Sequence, residues 1–297
     1  MDRRRTVLVD AFTTTPLSGN PAGIVPNASG LDVDQMAAIA NELGAPESAF
    51  VTESEVADRR LRYFTPTGEI DLCGHATVAV HAHLLDDGAI GPGTYSVETN
   101  AGVFDVNVRQ DGVVWIGMAE PDVRNVEVDE SRVADALGVT AHAVVTGELP
   151  IAVASTGVPF LIVPVDFLAT LGGMEPDHGA IEELTEEFEA TGVYAFTFDT
   201  LDRESTLQGR MFAPAAGIPE DPATGTASGA VGAYLRAVDA FEEMPDELFF
   251  EQGHYLDRPG VIRVRVNPEI RIGGEATTSL DGELVVPESD DDGIIEA

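Results

Sequence analysis

Apolar and polar positions alternate along Thr6–Phe12 and again along Ala22–Pro26, the pattern of two half-buried strands. The turn signal Leu17-Ser18-Gly19-Asn20-Pro21 lies between them. Asp32 with Gln35 three residues on reads as a capping box that starts a helix running to about Leu43, and Gly44 closes it. Strand patterns follow at Ser48–Thr52, Leu61–Phe64, Tyr95–Glu98, Val103–Val108 and Val113–Met118. Segment Ala119–Asp129, with Glu120-Pro121-Asp122, reads as a linker. Beyond it the order starts again. Ser155-Thr156-Gly157-Val158-Pro159 with Ile162-Val163 mirrors Ser18-Gly19-Asn20-Pro21 with Ile24-Val25. An acidic helix over Ile181–Ala190 then takes the place of the Asp32–Leu43 helix, Ala195-Phe196 mirrors Ala49-Phe50, and strands are expected at Phe249–Gln252, Val261–Val266 and Glu269–Ile272.

Two stretches break this amphipathic rule. Ala76–Leu85 is apolar on every side except at His81 and His83, and Ala223–Leu235 is a run of Ala, Gly, Thr and Val. A helix without a polar face is buried all round. Both belong to a repeated unit: Arg62, Phe64, Pro66 and Ile70 match Arg210, Phe212, Pro214 and Ile218. After a small insertion, Gly74, Ala76, Ala79 and Ala82 match Gly225, Ala227, Ala230 and Ala233. The class expected is α+β, with two pseudo-symmetric domains, each a curved strand barrel around one central buried helix. The domains are placed at 1–120 and 121–275. Residues 276–297 are read as a strand returning to the N-terminal domain and an acidic tail, Glu288-Ser289-Asp290-Asp291-Asp292.

Composition narrows the function. With 52 acidic against 16 basic residues in 297, the formal charge is −36, and every basic residue is arginine. Nucleic acid and anionic lipid both need a basic surface, so neither is expected as a partner. An acidic surface on a chain that is 44% apolar reads as adaptation to high salt, where screening removes self-repulsion. Without lysine there is no Schiff base to pyridoxal phosphate or to a carbonyl substrate, and no P-loop. One cysteine, Cys73, means no intrachain disulfide and fits a reducing cytoplasm. Arg3-Arg4-Arg5 is followed by too short and polar a run for an export signal, and no stretch approaches a membrane span.

Candidate chemistry gathers at the two repeated helix starts. A helix N-terminus exposes unpaired N–H groups and the positive end of its dipole, and so receives carboxylates. Gly74-His75-Ala76-Thr77 and Thr224-Gly225-Thr226-Ala227 both put glycine and hydroxyl residues there. If the domains face each other, two anion-accepting ends meet in one cleft. Asp221 before Pro222 has the form of an N-cap followed by proline at the first helical position; capping explains it as well as a site role does. His75 lies at the matching start in the other half. Metal is not expected, because His75, His81 and His83 share no helix face and the local sequence offers no carboxylates to complete a set with Cys73. Glu47, between a helix end and a strand, aligns with Val193 and so breaks the internal symmetry with a charge. That is the kind of residue that serves as a general acid/base with a pKa raised by burial.

Five segments in order carry a resemblance. They are Gly19-Asn20-Pro21-Ala22-Gly23; Glu47-Ser48-Ala49-Phe50-Val51; Phe64-Thr65-Pro66 with Cys73-Gly74-His75-Ala76-Thr77; Phe212-Ala213-Pro214; and Glu220-Asp221-Pro222-Ala223-Thr224-Gly225. Over roughly residues 6–286 the chain resembles the phenazine-biosynthesis PhzF-like family, which shares the diaminopimelate-epimerase-like fold. The resemblance implies a cofactor-independent isomerase acting on a small carboxylate, with Glu47 as general acid/base and His75 and Asp221 as its catalytic companions. It further implies substrate contacts at Asn20, Gly74, Ala76, Gly225 and Thr226, no metal, and a homodimer as the candidate assembly. Epimerases of this fold oppose two cysteines. Here Cys73 faces Thr224 in the alignment, which points away from a two-thiol epimerase. An amino- or hydroxy-acid epimerase and a non-catalytic binding protein are the rival readings.

Overall fold

The computed structural model describes residues 2–144, 147 and 149–287. The acidic tail expected from Glu288 onward lies outside them. The chain divides into two compact units. Unit 1 comprises residues 1–17, 21–115 and 275–297, and unit 2 comprises 18–20 and 116–274.

In unit 1, strand Asp2–Ala11 pairs antiparallel with Ala276–Val286. Strand Asn20–Val25 runs parallel to Glu47–Thr52, which pairs antiparallel with Arg59–Thr65; the sheet continues, parallel, to Gly93–Thr99 and, antiparallel, to Gly102–Val108. Helix Gly74–Asp86 packs on strands from both ends of this series, including 2–11, 276–286 and 102–108. The sheet therefore curls around it. Every residue from Ala76 to Leu84 is buried, which is why this helix carries almost no polar side chain. Helix Val33–Leu43 lies on the other face, where Met36 and Ile39 meet Phe50, Phe64 and Val286. Its capping box is formed as the sequence predicts: Gln35 N–H donates to Asp32 Oδ1 at 2.8 Å, Asp32 N–H donates to Gln35 Oε1 at 3.1 Å, and Gly44 ends the helix at φ 62°.

Unit 2 repeats the pairing. Strand Pro159–Pro164 runs parallel to Gly192–Thr197, then comes Leu207–Ala213 antiparallel, Leu248–Gln252 parallel and Gly260–Arg265 antiparallel. Helix Gly225–Ala237, 13 residues like its counterpart, is wrapped in the same way and contacts strands 152–155, 260–265 and 271–274. Its small residues are a packing requirement. A Cβ at Gly232 would sit 2.6 Å from Val264 Cγ1, so only glycine lets the strand approach.

One expectation is corrected and one element is added. The linker over 119–129 contains strand Asp122–Asn125, paired antiparallel with Ala152–Ser155. With three of its four residues polar and largely exposed, it carries no apolar alternation to announce itself. Helix Glu130–Leu137, which the hydrophobic pattern left unassigned, follows at once. Asp129 accepts from Ser131 N–H at 2.9 Å, and Val133, Ala134, Ala136 and Leu137 are buried in the unit 2 core.

Candidate active site

Glu47 is the first residue of strand Glu47–Thr52, and His75 lies in the first turn of helix Gly74–Asp86. The fold brings them together, with His75 Nε2 3.3 Å from Glu47 Oε2 and only 11% and 17% of the two side chains exposed. Burial pushes the Glu47 carboxyl up to about 6, because removing the carboxylate from water penalises its charged form. Cys73, the N-cap of the helix, makes no side-chain cap; its Sγ lies 3.4 Å from His75 Nδ1. The Cys73 carbonyl accepts from Thr77 N–H at 3.0 Å and Thr77 Oγ1 at 2.7 Å, and Tyr63 meets Thr77 Oγ1 at 2.7 Å. These bonds pin the helix start to strand Arg59–Thr65. Donor atoms of Glu47, Cys73 and His75 all lie within 4.8 Å of one another. The carboxylate that local spacing failed to supply beside Cys73 and His75 is thus delivered by a different strand.

In unit 2, Asp221 is not an N-cap. It ends strand Ile218–Asp221, and the helix starts at Gly225 with Thr224 as N-cap. Pro222 follows a strand, not a cap, because the chain needs Asp221 through Thr224 to turn from the sheet into the helix. Asp221 Oδ1 accepts from Asn20 Nδ2 at 3.0 Å, and its other oxygen accepts from Thr224 Oγ1. Asn20, fully buried, also donates to the Ala223 carbonyl at 2.9 Å. Its amide N–H groups are therefore turned toward Asp221 and the chain leading into the helix. Two residues that sequence reasoning missed complete the cluster. Gln252 donates to the Asp221 carbonyl at 2.7 Å and accepts from Thr224 N–H at 3.1 Å, while Arg258 donates to the Gly19 and Ser18 carbonyls at 2.9 and 2.8 Å. Neither belongs to a local motif; each acts across long sequence separation. Of the expected backbone contacts, Gly74 and Gly225 open their helices, with Ala76 and Thr226 in the first turns.

Strand register redraws the internal alignment. Glu47 pairs with Ala22, the residue after Pro21, and Gly192 pairs with Phe160, the residue after Pro159. On the other side Ser48 pairs with Phe64, and Val193 with Phe212. Both registers make Gly192, not Val193, the counterpart of Glu47. A Cβ there would lie 2.6 Å from the Phe212 carbonyl oxygen and 3.0 Å from Ala213 Cβ, so the slot is closed. Likewise Ile70 pairs with Tyr63 where Asp221 pairs with Met211, which makes Asp221 the counterpart of Ile70. The displacement arises in the turn between the paired strands, which in unit 2 contains the extra helical turn Pro214–Ala216.

Comparison with known proteins agrees with this architecture. The sequence profile of the phenazine biosynthesis-like protein family, PhzC-PhzF, matches residues 9–282. An uncharacterized isomerase of Bacillus subtilis, YfhB, is 38% identical over 285 residues, covering 94% of this chain and 95% of its own. The crystal structure of a Bacillus anthracis phenazine biosynthesis protein of the PhzF family superimposes with a TM-score of 0.88 at 33% identity, covering 96% of this chain and all of that one. A hydroxyproline epimerase from Agrobacterium vitis, solved with trans-4-hydroxy-L-proline, shares the fold with a TM-score of 0.59 at 14% identity. The chain belongs to the phenazine biosynthesis-like PhzF family and is, with its relatives, an enzyme of the isomerase class.

Proposed function

We propose that this isomerase shifts a proton on a small carboxylate substrate without a cofactor, with Glu47 as its one general acid/base. The observation that carries the reading is the Glu47 carboxylate, held beside His75 with its pKa raised toward neutrality, while the matching position in the second half has no room for a side chain. In the proposed step a substrate C–H bond breaks as the Glu47 O–H bond forms. The electron pair passes into an adjacent conjugated carboxylate or carbonyl. The same proton donor then protonates a different carbon, so no net oxidation occurs. His75 relays protons and orients Glu47. Asp221, fixed by Asn20 and Thr224, binds a polar substrate group, and N–H groups at Gly74, Ala76, Gly225 and Thr226 receive the substrate carboxylate.

The absence of lysine supports independence from pyridoxal phosphate. Inversion by two bases is disfavoured, since Glu47 is matched by Gly192 and Cys73 by Thr224. Incubation of the protein with a panel of small carboxylates in heavy water, read by mass spectrometry, tests the reading. Deuterium on a product carbon, or a primary isotope effect from carbon-deuterated substrate, is expected. Binding of a carboxylate with neither exchange nor conversion would turn the protein into a binder.

The acidic surface is read as halophilic and cytoplasmic, with a homodimer as the candidate assembly; charge −36 is unscreened in dilute buffer. Melting followed by circular dichroism is expected to shift strongly upward between dilute and molar potassium chloride; an unchanged midpoint would remove the halophilic reading. No helix among the described residues is long and apolar enough to cross a membrane.

A further inference from the structure

We propose that Glu47, Cys73 and His75 form a capture site for a thiophilic divalent cation of the Zn²⁺ type, whose occupation silences the isomerase. The silencing rests on the function proposed above; the binding does not. Among the described residues of this strongly acidic chain, these three form the one group of His, Cys and carboxylate side chains whose donor atoms converge within 4.8 Å. His75 Nε2 is 3.3 Å from Glu47 Oε2 and 3.9 Å from Cys73 Sγ. A tetrahedral zinc with ordinary bonds to sulfur, nitrogen and oxygen spaces its donors by about 3.3–3.6 Å, so modest side-chain movement closes the site. Three protein ligands leave the fourth position to water, and the partly exposed Glu47 and His75 leave a route for it.

The donor set decides which ion binds. Magnesium, calcium and potassium prefer oxygen and have many exposed carboxylates to choose from; a thiolate with an imidazole selects zinc, cobalt or cadmium. The scaffold is already rigid on one side, because the Cys73 carbonyl, Thr77 and Tyr63 bind one another at the helix start. On binding, the Cys73 thiol loses its proton to solvent and its sulfur forms the metal bond, with no redox change. Glu47 then gives to the metal the lone pair it needs to accept a substrate proton.

Titration of the whole, reduced protein with Co²⁺ reads the site directly. The expected result is a near-ultraviolet thiolate-to-cobalt band with intense tetrahedral visible bands, abolished by stoichiometric Zn²⁺ and by Cys73→Ser. Calorimetric Zn²⁺ affinity should fall by about tenfold or more in Cys73→Ser, His75→Ala and Glu47→Gln, and be unchanged in the surface variant Asp111→Asn. Weak octahedral spectra in the wild type, or Zn²⁺ affinity untouched by Cys73→Ser, would overturn the site without recourse to any variant's activity. Hydrogen exchange that continues in the zinc-loaded protein would overturn the silencing alone. If the metal-free protein exchanges hydrogen with no carboxylate, the proposed isomerisation fails while the measured binding stands.

Discussion

The two units are built from one pattern of strands around one buried helix, yet they hold opposite chemistry at matching positions. Unit 1 has Glu47 where unit 2 has Gly192, and Ile70 where unit 2 has Asp221. Helix starts differ too, with Cys73 and His75 set against Thr224 and Thr226. Each half therefore carries a carboxylate where the other has none, at a different place in the shared frame. What the two halves share is structural. Arg62 with Glu69 and Arg210 with Glu220 are the same bidentate pair, at 2.7 and 2.8 Å, in both copies. Residues that hold the frame were kept in duplicate, and those proposed to react were not. The repeated frame thus carries different side chains in its two copies.

The strongest way to break this comparison is to remove the carboxylate unique to unit 1. Glu47→Gln keeps the shape and eliminates the proposed base, so turnover should fall by about 10²–10⁴-fold or more with affinity little altered. In the wild type, kcat/KM should rise with pH through about 6 as Glu47 ionises. Near-normal turnover in the glutamine variant would end the one-base reading.

A second asymmetry lies inside the helices, where buried His81 occupies the position held by Gly232 in unit 2. Burial depresses His81 to about 4 against an ordinary 6.5. Between these values the unfolded chain binds the extra proton, so stability rises with pH across about 4 to 6.5 and is lost as pH falls. The contribution is on the order of a few kcal/mol. The gap between the denaturant midpoints of the wild type and His81→Gln should shift in favour of the wild type as pH rises from about 4 to 6.5 and stay constant above it; parallel profiles would show that His81 is not the cause.

Closure of the Gly192 slot can be probed by adding one methyl group. Gly192→Ala must move the Phe212 carbonyl or Ala213 and should cost about 1–3 kcal/mol in urea melts. A neutral result would mean that the second half can accommodate a side chain there. An effect of similar size, read in binding and not in stability, is expected at Asn20→Ala. It deprives Asp221 and the Ala223 carbonyl of a donor. That should cost about 1–3 kcal/mol, seen mainly as a raised KM. A fall confined to kcat would instead place Asn20 in the chemical step.

Much of this was legible in one dimension. Capping at Asp32 and Gln35, the αL stop at Gly44 and the two buried helices follow from local rules, because caps and burial leave their mark on neighbouring residues. Strand Asp122–Asn125 was hidden because an exposed, mostly polar strand has no apolar period. Asp-Pro suits a helix start, so local sequence leaves capping and a site role equally open for Asp221; the strand Ile218–Asp221, with Thr224 as the N-cap, removes the first.

The sequence by itself determined the repeat and the α+β class, and its resemblance to a known family offered the candidates Glu47, His75 and Asp221. The repeat and the class follow from spacing and periodicity, which act over a few residues or over the whole chain at once. Tertiary structure alone decided that Glu47 meets His75 and Cys73, and that Gln252 and Arg258 brace the Asn20–Asp221 cluster. It also decided that Glu47 is matched by a closed glycine slot. Those facts depend on strand register, where a shift of one residue turns a side chain to the opposite face, and no local pattern encodes which register closes the sheet.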